Sequence, residues 1–209
     1  MTIKLNRLDE VLQQVCPTVM VPRYEPLQDL DHEAHRFLVA QDGLYMDVLR
    51  PWLQLRLQIS QSPIPLPYGR VAGKAVFNFG DNFGDLFVQF TNAAREFLPA
   101  EHAAWFAFDA ETQCLRYEPV EVTRRNMARI TYERPVVSEH VRLAVDIHSH
   151  GCENAYFSPT DDLDDVDDAK LAIVVGDLDK AQISVIARLV LPGGLVLDYS
   201  DFVRSLLSR

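Results

Sequence analysis

The segment HSHGCENAYFSPTD, residues 148–161, places His148 and His150 one residue apart, with Ser158 and Asp161 close behind. Two imidazoles and a carboxylate can hold a tetrahedral ion with one position left open. Three protein ligands plus water is the pattern of catalytic rather than structural zinc. Hydrolysis at such a site also needs a base for the proton of the attacking water. Glu101 is the candidate, because it stands between an expected helix end at Pro99 and the apolar run AAWFAF. Ser158 offers a hydroxyl to the oxyanion formed when water attacks a carbonyl. Each group also has a plainer reading. HxH alone is ordinary strand polarity, Glu101 alone is a solvated helix-end acid, and Ser158 with Asp161 forms a capping box that needs no metal. The capping and metal readings are compatible, since a capped helix start is a good way to aim Asp161.

These groups need elements to position them. Residues two apart on a strand share a face, so a strand over VRLAVDIHS, 141–149, projects both imidazoles from one sheet edge. SPTDD then reads as a helix opening, with Ser158 as N-cap and Pro159 at the first helical position. The seven residues 151–157 are enough to bring that helix start back to the edge. A helix over 85–98 carries Leu86, Phe90, Ala93 or Ala94, and Phe97 at helical spacing. Strands are expected at 103–108, 114–122, 130–135, 170–177, 182–191 and 195–199, with Gly193-Gly194 as a turn and a short C-terminal helix. Upstream, residues 36–59 read as β structure. Asp42-Gly43 is a hairpin turn whose two positions accept positive φ. Leu53, Leu55, Leu57 and Ile59 alternate with polar residues, which describes a strand with one apolar face. Pro63, Pro65 and Pro67 mark an extended connector. The expected organisation is an N-terminal β-rich extension, 1–70, followed by a metal-site domain, 71–209. The extension is expected to dock on that domain and to contribute a partner or substrate surface.

The 209 residues carry 20 Lys and Arg against 30 Asp and Glu, a formal charge of −10. That balance argues against direct nucleic-acid or anionic-membrane binding, which needs a basic surface. Cys16, Cys114 and Cys152 show no CxxC pairing and fit a reducing compartment. The N-terminus lacks the apolar core of a signal peptide, and no run is long and apolar enough to span a bilayer. The expectation is a cytoplasmic protein. Beyond Asp161, the acidic run DDLDDVDD lacks the glycine and closing glutamate of a calcium loop and reads as a solvated helix face. His32, His35, His102 and His140 have no ligand spacing.

A helix-end glutamate followed by H-x-H-x7-S-x2-D resembles the JAMM (JAB/MPN) metalloproteases, of the prokaryotic JAB-domain type. The matching positions are Glu101, His148, His150, Ser158 and Asp161, and the resemblance covers roughly residues 72–209. It implies an α+β fold, a mixed sheet flanked by helices. It also implies zinc, one per chain, on His148, His150 and Asp161, with Glu101 as general acid/base and Ser158 supporting the oxyanion. The implied activity is that of a peptidase or isopeptidase acting on a protein or peptide, such as the C-terminus of a ubiquitin-like or sulfur-carrier protein, with a ThiF/E1-like partner. Many relatives carry proline where this chain has Gly151, which leaves the ligands intact and alters the loop facing the substrate. Two other classes stay open. One is a non-catalytic binding module in plasmid or mobile-element maintenance; the other is a role in DNA metabolism, which the charge of −10 counts against.

Overall fold

The computed structural model describes residues 5–125, 130–133, 135, 137–165 and 169–208. Arg134, at the end of the expected strand 130–135, lies outside the described residues, as do Val166, Asp167 and Asp168 of the acidic run. The chain divides into two compact units, 1–78 and 79–209.

The first unit opens with α1 (Arg7–Val15), capped by the Asn6 side chain, which accepts from the Leu8 and Asp9 amides. Five strands follow: β1 (Thr18–Met20), β2 (Ala34–Ala40), β3 (Gly43–Arg50), β4 (Leu53–Gln61) and β5 (Lys74–Phe77). They form one sheet in chain order, parallel only at β1/β2. The hairpin turn falls one residue earlier than its sequence suggests. Gln41 and Asp42 make it, neither has positive φ, and Gly43 pairs with Ala40 as the first residue of β3. Gly43 does have positive φ, +148, and a Cβ there would also sit 2.0 Å from the Ser60 carbonyl oxygen of β4. The proline segment is extended but bonded to the sheet edge, through Leu66 N to Gln41 O and Gly69 N to Val21 O. The sheet continues past it, because β5 pairs with β4.

The second unit is built on a six-stranded sheet of order β13-β12-β11-β10-β6-β7. Its strands are β6 (Ala103–Asp109), β7 (Cys114–Pro119), β10 (Val141–Ser149), β11 (Lys170–Gly176), β12 (Ser184–Leu191) and β13 (Leu195–Asp198). A small hairpin, β8 (Glu121–Arg125) with β9 (Ile130–Glu133), stands apart from it, so the expected strand 114–122 is two strands in two sheets. Helix α2 (Phe83–Glu96) buries Phe83, Leu86, Phe87, Phe90 and Ala94. With α4 (Ser200–Leu207) it covers the sheet face that holds Phe106 and Ala187. Residues of the opposite parity, Asp146, His148, Ala172 and Arg188, lie on the other face, next to α3 (Pro159–Asp164). Every residue of β6 and β11 is buried, as expected for central strands covered on both sides. Among the described residues, no helix is long and apolar enough to cross a membrane.

Candidate metal centre

The one parallel pair in this sheet, β10 with β11, needs a crossover, and the cleft opens where that crossover leaves the carboxyl end of β10. A bulge between Leu143 and Val145 resets the alternation of β10. As a result Val145, Ile147 and Ser149 are buried, while Asp146 and His148 face the cleft. The antiparallel register of β10 with β6 continues past its last strand pair: Ser149 N bonds His102 O, and His102 N bonds Ser149 Oγ. The next residues in that register are His150 and Glu101. Residues opposite one another in an antiparallel pair share a face, so Glu101 comes to the same edge as the imidazoles. It is 6% exposed there.

The loop after His150 is tied down at several points. His150 N bonds Val175 O, Leu178 N bonds Gly151 O, and Ala155 N bonds Ser184 Oγ. Gly151 has φ +58, which proline cannot adopt, and a Cβ there would lie 2.5 Å from the Pro99 carbonyl oxygen. The glycine that departs from the family pattern therefore packs the histidine turn against the segment that leads to Glu101.

Ser158 and Asp161 form a capping box. The Ser158 amide donates to Asp161 Oδ2 at 2.6 Å, and the Asp161 amide donates to Ser158 Oγ at 3.3 Å. Asp161 Oδ1 is left facing His148 Nε2 at 3.5 Å, and the two imidazole Nε2 atoms lie 3.3 Å apart. One donor atom from each of His148, His150 and Asp161 lies within 4.8 Å of the others. Such a cluster of lone pairs suits a cation, and the donor set of two nitrogens and one oxygen suits zinc. Burial, helped by the neighbouring His148, holds the His150 pKa below its ordinary value, while Asp161, the Asn154 backbone and Glu153 oppose the shift. The neutral, lone-pair-bearing form is favoured. Glu101 and Ser158 line the same cleft. Cys152 is exposed and outside the cluster.

Other residues around the cleft are not marked by spacing. The Tyr156 ring meets His150 edge-on, with centroids 4.3 Å apart, and is 43% exposed at the cleft. The acidic run is solvated at Asp162 and Asp164, as expected, but Asp165 is 5% exposed, and the exposed Asp162 pairs with Arg188 at 2.6 Å. Sequence alone missed this because the partner cations, Lys170 and Arg188, sit on strands later in the chain. Burial works against the charge of Lys170, but Asp146 and Asp165 outweigh it and hold its pKa above the ordinary value. A second group, Asp109, Glu111 and His140, also converges. Its buried member is already committed to the β6–β7 turn: Asp109 Oδ1 accepts from the Glu111 and Thr112 amides, and Oδ2 pairs with Arg116.

Residues 84–188, half of the chain, match the family described as prokaryotic homologs of the JAB domain. The chain belongs to that family, and its second unit has the corresponding mixed α+β fold. Residues 6–78 match a domain of unknown function (DUF2016). The solution structure of protein DSY2949 from Desulfitobacterium hafniense is similar at 14% identity and a TM-score of 0.41, over 55% of this chain and 85% of that one. No curated protein matches the chain.

Proposed function

We propose that this protein is a zinc-dependent metallopeptidase or isopeptidase of the JAMM type. The observation that carries this reading is the convergence of His148, His150 and Asp161 in a cleft that also holds a buried Glu101. JAB-domain proteins include metalloproteases and are often zinc-dependent, though some prokaryotic members are non-catalytic. Zinc held by the three ligands would act as a Lewis acid toward water and the scissile carbonyl. Glu101 accepts a proton from the attacking water and returns it to the leaving amine. The Ser158 hydroxyl donates to the developing oxyanion, since its bond with Asp161 uses it only as acceptor.

The proposed substrate is a protein or peptide tail, such as the C-terminus of a ubiquitin-like or sulfur-carrier protein, handled with a ThiF/E1-like partner. An N-terminal addition ahead of a JAB domain resembles PRTRC system protein A, a component of mobile-element cassettes, and the first unit is proposed as the recognition element. The test has two parts. Metal analysis of purified protein should give close to one zinc per chain, and most of it should be lost in His148→Ala. A sulfur-carrier protein extended at its C-terminus should then be cleaved by wild type and not by that variant. Failure to hold or bind any transition metal overturns the metal reading. Zinc without cleavage of tails presented with a ThiF-like partner favours the binding-module reading.

A further inference from the structure

Helix α3 brings Asp161 to the cleft, yet none of its own apolar side chains is buried. It buries no residue, and Leu163 is 76% exposed. Its attachment is a chain of charges. Asp146, Ala172 and Arg188 lie in one row across β10, β11 and β12, with Lys170 on the same face. Lys170 Nζ bridges Asp146 Oδ2 at 2.8 Å and Asp165 Oδ1 at 2.6 Å. The other Asp165 oxygen, Oδ2, accepts from Arg188 Nε at 2.7 Å and makes an ion-pair contact with Nη2 at the same distance. Arg188 Nη1 reaches Asp162 Oδ1 at 2.6 Å. The same guanidinium lies 3.9 Å from the centre of the Phe157 ring, immediately before the Ser158 cap. Its side chain is only 9% exposed.

We infer that Arg188 is a positioning residue for the metal centre: by gripping α3 at Phe157, Asp162 and Asp165, it fixes Asp161 as the third ligand. Asp161 lies between these points of attachment, held by its own cap and facing His148 Nε2 at 3.5 Å. The planar guanidinium suits this task because it can stack and donate in several directions at once, which an ammonium cannot. Without it, His148 stays on β10, His150 stays bonded to Val175 just past the strand end, and Asp161 is released to move with α3. Residues that orient a ligand in this way typically matter about 10–100-fold to metal affinity.

The inference rests on the zinc reading above. Its test uses the full chain, with zinc affinity measured by competition against a chromophoric chelator and hydrogen exchange measured on the metal-free protein. Arg188→Met should weaken zinc about 10–100-fold, with Arg188→Lys in between. Combining Arg188→Met with Asp161→Ala should bind zinc no more weakly than Asp161→Ala alone, since both act through one ligand. Backbone amides of 158–165 should exchange faster in Arg188→Met, with those of β10 to β12 unchanged. Wild-type zinc affinity in Arg188→Met, or a double variant weakened by the full product of the single effects, overturns the inference. If Arg188→Met does not fold, Asp162→Asn removes one arm at an exposed carboxylate, and unchanged exchange in α3 is then the overturning result. A wild type that binds no zinc defeats the metal reading instead, and the clamp then stands or falls on the exchange data.

Discussion

The two carboxylate oxygens of Asp161 are divided between two tasks: Oδ2 accepts the Ser158 amide hydrogen at 2.6 Å, and Oδ1 stands 3.5 Å from His148 Nε2. The bond that starts α3 also orients the ligand, so the plain reading of this pair as a capping box and the metal reading are one geometry.

Substitution separates the two tasks. Asp161→Asn keeps an oxygen for the Ser158 amide but loses the anionic ligand. It should unfold near the wild-type midpoint without metal and bind zinc far more weakly. Asp161→Ala should lose zinc as well and be less stable by about 1 kcal/mol, the usual scale of a lost cap. Chemical denaturation of the metal-free proteins, read beside zinc titration, checks both.

Glu101→Gln removes the proton acceptor and keeps the side-chain shape. Zinc content should stay at the wild-type level, while hydrolysis of a cleavable substrate falls by about 10²–10⁴. Zinc loss in this variant would make Glu101 a ligand or a structural support.

Gly151→Ala places a Cβ 2.5 Å from the Pro99 carbonyl oxygen in a backbone conformation that L residues rarely adopt. A cost of roughly 1–3 kcal/mol is expected. Gly84→Ala in α2, where a Cβ meets nothing within 4 Å, should be neutral or mildly stabilising. Midpoints of denaturant unfolding compare the two.

The depressed pKa of His150 has a definite sign. The folded protein holds this imidazole neutral below its ordinary 6.5, where the unfolded chain already binds a proton. Its share of stability is therefore fully present above pH 6.5 and is lost as pH falls through the folded value. Metal-free wild type should lose stability on acidification across this window more steeply than His150→Gln. Zinc binding should weaken in the same direction, because protons compete for the ligand nitrogens. Thermal melts and zinc titrations at pH 7.5 and 5.5 measure these slopes.

All cleft residues belong to 79–209, and β5 belongs to the sheet of the first unit. A truncation after Asn78 should therefore fold and bind zinc, whereas one after residue 70 keeps a strand without its partner. The shorter chain should fail to capture the partner that full-length protein captures; equal capture would remove the recognition role proposed for the first unit.

The sequence by itself determined the local features. The 3.6-residue spacing from Leu86 to Phe90 and Ala94 identifies α2, and the apolar runs identify β6, β10, β11 and β12, because periodicity is a property of neighbours along the chain. The spacing from His148 to Asp161 likewise marks the ligand candidates and the cap. Tertiary structure decided what depends on distant partners. The bulge after Leu143 turns His148 toward the cleft, and no residue type at that point announces it. Gly43 and Gly151 answer to the Ser60 and Pro99 carbonyls, which approach from other parts of the chain. Asp165 looks like a solvent-facing acid until β11 and β12 supply Lys170 and Arg188. Burial of the Asp165 charge depends on partners that strand pairing places, Arg188 among them from 23 residues away, and a linear pattern carries no record of it.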